Sequence, residues 1–116
     1  MDELAKMHCS PIKANTPRLD ELGVSQLEAK LPGWRTYEKD GELRLEKIFK
    51  FENFSQAIAF TDRVAQVADG EDHHPAILTE WGKVTVTWWT HRIKGLHQND
   101  FIMAAKTDQI YNRDRS

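Results

Sequence analysis

Apolar and polar residues alternate in two stretches of the chain, as they do in half-buried β-strands. The first stretch covers residues 34–38 and resumes from Leu43 and Leu45 towards Phe51. Asp40-Gly41 lies between its two arms, and this dipeptide is a strong signal for a tight hairpin turn. The pattern therefore predicts two antiparallel strands joined at that turn.

The second stretch alternates in the same way around Trp81-Gly82, which we interpret as another tight turn. Its arms cover residues 76–80 and 83–89. Val84 and Val86 occupy every second position of the longer arm, so we expect both in the core. The pattern predicts a second hairpin.

Apolar residues at helical spacing predict a short helix before the first strand and a longer one at the end of the chain. The short helix covers residues 25–31, with Leu22 leading in, and Pro32-Gly33 ends it. The last helix follows Gly95, and Asp100 lies in its first turn, where a negative charge complements the helix N-terminus.

A third helix separates the two hairpins and has the clearest signals. Asn53 and Gln56 resemble a capping box at its start. We expect it to end near Asp69-Gly70, because glycine readily adopts the left-handed conformation common at helix ends. Its predicted core face consists of Phe54, Ile58, Thr61, Val64, Ala65 and Ala68.

The order of these elements predicts an α+β fold. Two hairpins form a four-stranded antiparallel sheet, and the helices pack on one face of that sheet. Sheet edges are commonly covered by a partner chain, so we expect a homodimer or a homotetramer.

Residues 1–17 contain Pro11 and Pro17 and have no apolar period, which predicts a flexible N-terminal arm. Residues 18–116 then form a single domain, because 116 residues suit one compact unit. His8-Cys9 in the arm is a weak candidate for metal binding, since no second pair follows at ligand spacing.

Composition and charge narrow the class of protein. The chain is 40% apolar and 29% charged, the balance of an ordinary globular domain. The net charge of −2, with basic residues scattered among acidic ones, argues against direct nucleic-acid binding. No apolar run is long enough to cross a membrane, and the first fifteen residues lack the continuous hydrophobic stretch of a secretory signal. With a single cysteine available, we expect a cytoplasmic protein.

Three of the five histidines, His73, His74 and His91, occur among acidic residues in one stretch of the chain. Imidazole is the side chain whose ordinary pKa lies closest to neutrality, so this grouping indicates proton transfer. The second hairpin brings His73 roughly opposite Thr90, which lets the three imidazoles share a pocket. Asp100 can reach the same place, orient one imidazole and stabilise its charged form.

Other interpretations of these residues stay open. A histidine near a strand end is most often a solvated or capping residue. Three histidines with an open water position would also suit zinc, although adjacent ligands make tetrahedral geometry awkward. The four tryptophans are most simply core or interface residues, and one of them can stack on a flat ring: Trp34, Trp81, Trp88 and Trp89.

The spacing of these residues is similar to that of a known family. An acid, Asp69, stands four residues before His73, the first residue of His73-His74-Pro75. Trp81 lies six residues after Pro75, His91 ten residues after Trp81, and Asp100 nine residues after His91. The chain resembles the pterin-4a-carbinolamine dehydratases, in particular their bacterial branch. The likeness begins near Gly33 and covers most of the chain, but not the first seventeen residues.

The resemblance implies dehydration of 4a-hydroxytetrahydrobiopterin to quinonoid dihydropterin by histidine acid–base catalysis, with no cofactor and no metal. It implies that His73 and His91 are the acid–base groups, that His74 assists or positions, and that Asp100 belongs to the catalytic set. The chain departs from animal relatives at Trp89 and Arg92. The residues expected to bind the pterin are Asp72, Pro75, Trp89, Thr90, Arg92 and Trp34.

The same resemblance implies a functional link to an aromatic amino acid hydroxylase, whose used pterin the enzyme would recycle. Two alternatives remain open at this point. One is a non-catalytic dimerisation or coactivator module that binds a protein partner through a helical face, and the other is a role in molybdopterin metabolism.

Overall fold

The computed structural model describes residues 2–115. The helices and strands are α1 Asp2–Lys6, α2 Glu21–Glu28, β1 Arg35–Lys39, β2 Glu42–Lys50, α3 Phe54–Glu71, β3 Ala76–Glu80, β4 Lys83–Trp88 and α4 Gln98–Arg115. A 3₁₀ turn lies between β4 and α4. None of the helices in this part of the chain is long and apolar enough to span a bilayer.

The four strands form one antiparallel sheet in the order β1-β2-β4-β3, which confirms the predicted fold class. Asp40 and Gly41 both have positive φ, at 54° and 78°, as a two-residue primed turn requires. The second hairpin also has the predicted register, with Ala76 opposite Thr87. The hairpins join through β2 and β4, where Leu45 lies opposite Trp88.

Helices α3 and α4 pack on one face of the sheet around a core that includes Val84 and Val86, both fully buried as predicted. The predicted core face of α3 is wrong at Phe54, Ile58 and Ala65, all of which are exposed. Phe54 and Ile58 are 47% and 45% exposed. Phe60 is fully buried instead, because its ring packs against other aromatic rings of the core. The buried face of α3 is Ala57, Phe60, Val64 and Ala68.

Helix α3 ends at Glu71, one residue beyond Gly70, and the left-handed residue at its end is corrected from Gly70 to Asp72. Asp72, with φ of 52°, adopts the left-handed conformation that we assigned to Gly70. The backbone N–H groups of Asp72 and His73 donate to carbonyls of the last turn of α3. Asparagine and aspartate tolerate this conformation better than most residues, which explains why Asp72 can end the helix.

The short helix α2 begins earlier than the predicted residues 25–31. The side chain of Asp20 accepts a hydrogen bond of 2.8 Å from the Gly23 N–H, and this N-cap fixes the start. Leu31 lies beyond the helix end but is almost completely buried.

The N-terminal residues differ from the flexible arm that the sequence suggests. Helix α1 packs on α4 and buries Leu4 and Ala5, which are 5% and 8% exposed. The Lys106 side chain donates a hydrogen bond of 2.8 Å to the Ala5 carbonyl. Two apolar residues are too few to give a detectable period, since their burial depends on tertiary contacts with α4. The boundary between residues 17 and 18 stays a prediction.

Candidate active site

A cavity of about 470 Å³ opens where α3 and β4 end, a volume within the usual range for small-molecule sites. It brings together the three predicted histidines and several of their sequence neighbours. Its lining residues are Cys9, Ser10, Pro11, Ile12, Glu71, Asp72, His73, His74, Trp89, Thr90, His91 and Arg92.

Asp100 organises the buried side of this cavity. Its Oδ1 lies 2.7 Å from Nε2 of His73, and both side chains are buried. Its Oδ2 accepts hydrogen bonds from the Thr90 hydroxyl at 2.7 Å and from the His97 N–H at 2.9 Å. Because Asp100 is fully buried, these donors replace the water that a carboxylate would otherwise need.

The position of Asp100 follows from the start of α4. Nδ1 of His97 accepts a hydrogen bond from the Asn99 N–H, while Asp100 accepts one from the His97 N–H. This reciprocal arrangement is that of a capping box, with histidine as the N-cap. Burial lowers the pKa of His97 and outweighs the opposing effect of Asp100, so the neutral acceptor form is favoured.

Trp88 fixes the plane of the His73 ring. The two rings are stacked, with centroids 6.0 Å apart and an interplanar angle of 9°. Trp88 is fully buried and donates from Nε1 to the Thr107 hydroxyl at 3.2 Å. Since Asp100 occupies Nε2 of His73, Nδ1 is the ring nitrogen available to a ligand.

The other two imidazoles are more exposed, and each faces its own carboxylate. Nε2 of His74 lies 3.0 Å from Oδ1 of Asp69, and both side chains are more than half exposed. Nδ1 of His91 lies 3.3 Å from Oε1 of Glu42. The His91 side chain is 80% exposed, whereas that of Glu42 is only 12% exposed.

Sequence reasoning missed Glu42. Its strand, β2, pairs with β4 so that Leu45 lies opposite Trp88, and the same register carries Glu42 towards His91. Only the pairing of β2 with β4 contains this information, because these strands are not consecutive along the chain.

Trp89 forms a flat wall of the cavity, and Arg44 lies behind it. The guanidinium carbon of Arg44 is 4.1 Å from the centre of the Trp89 ring, at the distance of a cation–π contact. Nε of Arg44 and Nε1 of Trp89 are buried without a hydrogen-bond partner among the described residues. Sequence reasoning gave no signal for Arg44.

Not every predicted binding residue lies at the cavity. Asp72, Trp89, Thr90 and Arg92 line it, but Pro75 stands outside the wall. Trp34 is a correction, because it is 4% exposed and donates from Nε1 to Asp108 at 3.0 Å in the core.

Two further residues of interest lie away from the wall. Trp81 is 75% exposed in the turn between β3 and β4. Within residues 2–115, no group of three histidine, cysteine or acidic side chains is arranged to hold a metal ion. Burial, with help from Glu71 and Asp100, raises the pKa of Cys9 to about 12, which disfavours the thiolate that metals bind.

The arrangement can hold and move protons at two distinct places. His73 offers one nitrogen to the cavity, and its other nitrogen contacts a buried carboxylate. His91 lies at the exposed rim and can exchange protons with solvent. A flat ligand beside Trp89 would meet both groups.

Comparisons with known proteins identify the family of the chain. The family model described as Pterin 4 alpha carbinolamine dehydratase matches residues 17–110. A Microcystis aeruginosa protein, whose name assigns it to the pterin-4-alpha-carbinolamine dehydratases, is 52% identical over 116 residues, which is 100% of each chain.

Two solved structures share the fold. A Brucella melitensis protein described as a transcriptional coactivator/pterin dehydratase is 34% identical, with a TM-score of 0.74 over 82% of this chain and 99% of its own. A pterin dehydratase-like protein described as a RuBisCO assembly factor in the alpha-carboxysome is 25% identical, with a TM-score of 0.57 over 68% of this chain and 89% of its own.

Proposed function

Because the chain belongs to the pterin-4a-carbinolamine dehydratase family, we propose that it dehydrates 4a-hydroxytetrahydrobiopterin to quinonoid dihydropterin and water. The observation that carries this proposal is the buried His73–Asp100 pair facing a cavity of about 470 Å³. Burying two such polar side chains costs desolvation energy, and a chemical role for the pair explains why the protein carries that cost.

The reaction needs one proton delivered and one removed. The bond from carbon 4a to its hydroxyl oxygen breaks, and that oxygen leaves as water after it receives a proton. A ring nitrogen loses a proton, and its electron pair forms the new carbon–nitrogen double bond. A proton donor and a proton acceptor on one ligand therefore suffice.

His73 suits the base and His91 suits the acid. Asp100 stabilises the imidazolium that forms when Nδ1 of His73 accepts the ring-nitrogen proton. His91 lies at the exposed rim, where it can donate to the leaving oxygen and recover a proton from solvent. His74, which contacts the exposed Asp69, assists by positioning the substrate.

The remaining cavity residues would bind the pterin. The flat indole of Trp89 can stack on the bicyclic ring. Asp72 and Arg92 offer charged groups at the same cavity. Thr90 donates its hydroxyl hydrogen to Asp100, so it is a positioning residue for the His73–Asp100 pair.

In this proposal the protein uses no cofactor or metal and recycles the pterin of an aromatic amino acid hydroxylase in the cytoplasm. It would do so as a homodimer or homotetramer, because β1 and β3 leave the two edges of the sheet open. Carrying no basic stripe, it would not bind nucleic acid directly.

Stopped-flow absorbance of carbinolamine dehydration tests the proposal. We expect His73→Ala and His91→Ala each to lower kcat by about 100-fold or more, the usual contribution of a positioned acid or base. Gln26→Ala, an exposed substitution on α2, serves as the control with unchanged rate. Unchanged rates in both histidine variants would remove the catalytic assignment.

A second candidate function is supported by the exposed side of α3. Phe54 and Ile58 are apolar and about half exposed there, as a partner-binding helix face would be. The Brucella and carboxysome proteins are described as a coactivator and an assembly factor. If this chain acts as a binding module, Phe54→Ser and Ile58→Ser abolish that role and leave dehydration unchanged, while His73→Ala does the reverse.

A further inference from the structure

Residues 8–12 cross the mouth of the cavity, and we call them the N-terminal strap. Four of them, from Cys9 to Ile12, contribute to the cavity wall. The family model starts only at residue 17, so the strap lies outside the part of the chain that defines the family. The family match therefore says nothing of the strap, and its place at the cavity rests on the contacts below.

Glu71, at the end of α3, holds the first half of the strap. Its Oε1 accepts the Cys9 N–H at 2.8 Å, and its Oε2 lies 2.7 Å from Nδ1 of His8. Burial raises the pKa of Glu71, but the Cys9 N–H, His8 and Lys106 together outweigh burial and lower it. The lowered pKa favours the ionised form of Glu71, and this charged carboxylate is the form that best accepts hydrogen bonds from the strap.

Asn99, which is 1% exposed, holds the middle of the strap. Its Oδ1 accepts the Ser10 N–H at 2.9 Å, and its Nδ2 donates to the Ser10 carbonyl at 2.8 Å. These are the two hydrogen bonds that a neighbouring strand would make, so they fix the backbone whatever side chain stands at residue 10. Arg92 then donates to the Ile12 carbonyl at 2.9 Å.

Each anchor is close in sequence to a residue of the proposed chemistry. Asn99 precedes Asp100, Arg92 follows His91, and Glu71 lies two residues before His73. The strap is thus held at a set position relative to both histidines. Three separate elements of the fold contribute to that position.

We propose that the strap is part of the substrate site, and that the bicyclic ring of the ligand lies between the histidines and the strap. This inference rests on the proposed function for the identity of the ligand. The backbone groups of Ser10 and the N–H of Cys9 are already paired, and Pro11 has no N–H. Pro11 and Ile12 therefore offer the ring apolar surface.

The strap buries one face of the ring and donates or accepts few hydrogen bonds at the ring's polar edge. It follows that the strap strengthens binding of pterins in general and does not select among their side chains. Its loss is expected to raise KM and to change kcat little, since the acid and base stay in place.

Ser10→Pro tests this without touching the domain. The substitution removes the N–H that donates to Asn99, whereas Ser10→Ala keeps that N–H and is the matched control. We expect Ser10→Pro to raise KM about fivefold, the value of one lost hydrogen bond, with kcat within about twofold. Ser10→Ala, which keeps this hydrogen bond, is expected to raise KM by less than Ser10→Pro does.

Cys9 provides a second measurement, because it is the one cysteine of the chain and is half-buried in the strap. With its pKa near 12 in the docked strap, the thiol is expected to react slowly with a disulfide reagent at pH 8. Added biopterin, which carries the ring but does not react, should slow the wild-type reaction further. Ser10→Pro should speed it.

Two results would overturn the proposal. One is wild-type labelling of Cys9 that biopterin does not slow. The other is a Ser10→Pro protein that labels faster than the wild type but has the same KM. If biopterin protects Cys9 while the wild type shows no dehydration, the strap binds the ring as proposed and the proposed reaction is what fails.

Discussion

His73 and His91 are both paired with carboxylates, but their surroundings are opposite. The Asp100 side of the cavity is buried, and its carboxylate is held by three donors within 3 Å. On the Glu42 side the carboxylate is 12% exposed, but the imidazole that it contacts at 3.3 Å is 80% exposed. A buried pair keeps a fixed geometry, whereas an exposed one can rotate and exchange protons with water.

This difference indicates that the two imidazole–carboxylate pairs have different roles in the proposed reaction. Preorganisation is most useful where a charge forms inside the protein, as at His73. Exposure is most useful where a group must be reprotonated between turnovers, as at His91. Substitutions that weaken one side should therefore differ in size and in kind from those that weaken the other.

The largest effect is expected for Asp100→Asn. The amide cannot accept from all three donors and presents its own N–H₂ group to one of them, so both the pair and the start of α4 suffer. We expect kcat to fall by about 100-fold or more and the free energy of unfolding to fall by about 1–3 kcal/mol. Stopped-flow kinetics and urea unfolding measure the two losses.

Asp108→Asn is the matched control for that substitution. Asp108 also lies on α4 and accepts from two side chains, Trp34 and Lys47, but it does not line the cavity. We expect it to lose stability and to keep kcat. A similar fall in kcat in both variants would mean that the effect of Asp100 is structural only.

Thr90→Val should have an intermediate effect. Valine has nearly the same shape but lacks the hydroxyl that donates to Asp100 at 2.7 Å. We expect kcat to fall by about tenfold, the value of one hydrogen bond to a charged group. Thr90→Ser, which restores the donor, should recover most of the rate, and failure of this recovery would contradict the assigned role.

Glu42→Gln should lower kcat less, because His91, the imidazole of this pair, is exposed to solvent. A loss of about fivefold in kcat corresponds to the upper range for such pairs. Glu46→Gln, on the same strand and bonded to Thr87, provides a control that should leave the rate unchanged. A larger loss for Glu42→Gln than for Asp100→Asn would reverse the comparison between the two sides.

The smallest effect concerns the pH dependence of stability. Burial lowers the pKa of His97 below its ordinary 6.5, so the unfolded chain takes up that proton first as pH falls. The contribution of His97 to stability is therefore complete above pH 6.5 and is lost as the pH falls through the folded-state pKa. Asparagine can cap α4 without titrating.

Urea unfolding at pH 7.5 and pH 5.5 checks this contribution. The wild type should lose more free energy of unfolding over that interval than His97→Asn does. Equal losses would show that the cap of α4 does not titrate with His97.

The sheet could be predicted because its signals are local. Alternation gave both hairpins, and the short turns fixed their internal registers, which is why the approach of His73 to Thr90 was predictable. The meeting of His73 with Asp100 at 2.7 Å also agrees with the expectation that Asp100 orients one imidazole.

What the sequence did not reveal depends on contacts between distant segments. Glu42 reaches His91 only through the pairing of β2 with β4, and Trp34 is in the core because α4 provides Asp108. On α3, the exposed Phe54 and Ile58 are apolar like the buried Phe60, and the aromatic contacts of Phe60 decide which face is buried. Local spacing cannot supply such information.

The carboxylate that holds His73 also closes the first turn of α4 by accepting the His97 N–H. Fraying of that turn removes one of the donors that position Asp100, so closure of the turn supports the geometry of the imidazole. Amide hydrogen exchange at residue 97 measures how often the turn opens, without any substrate present.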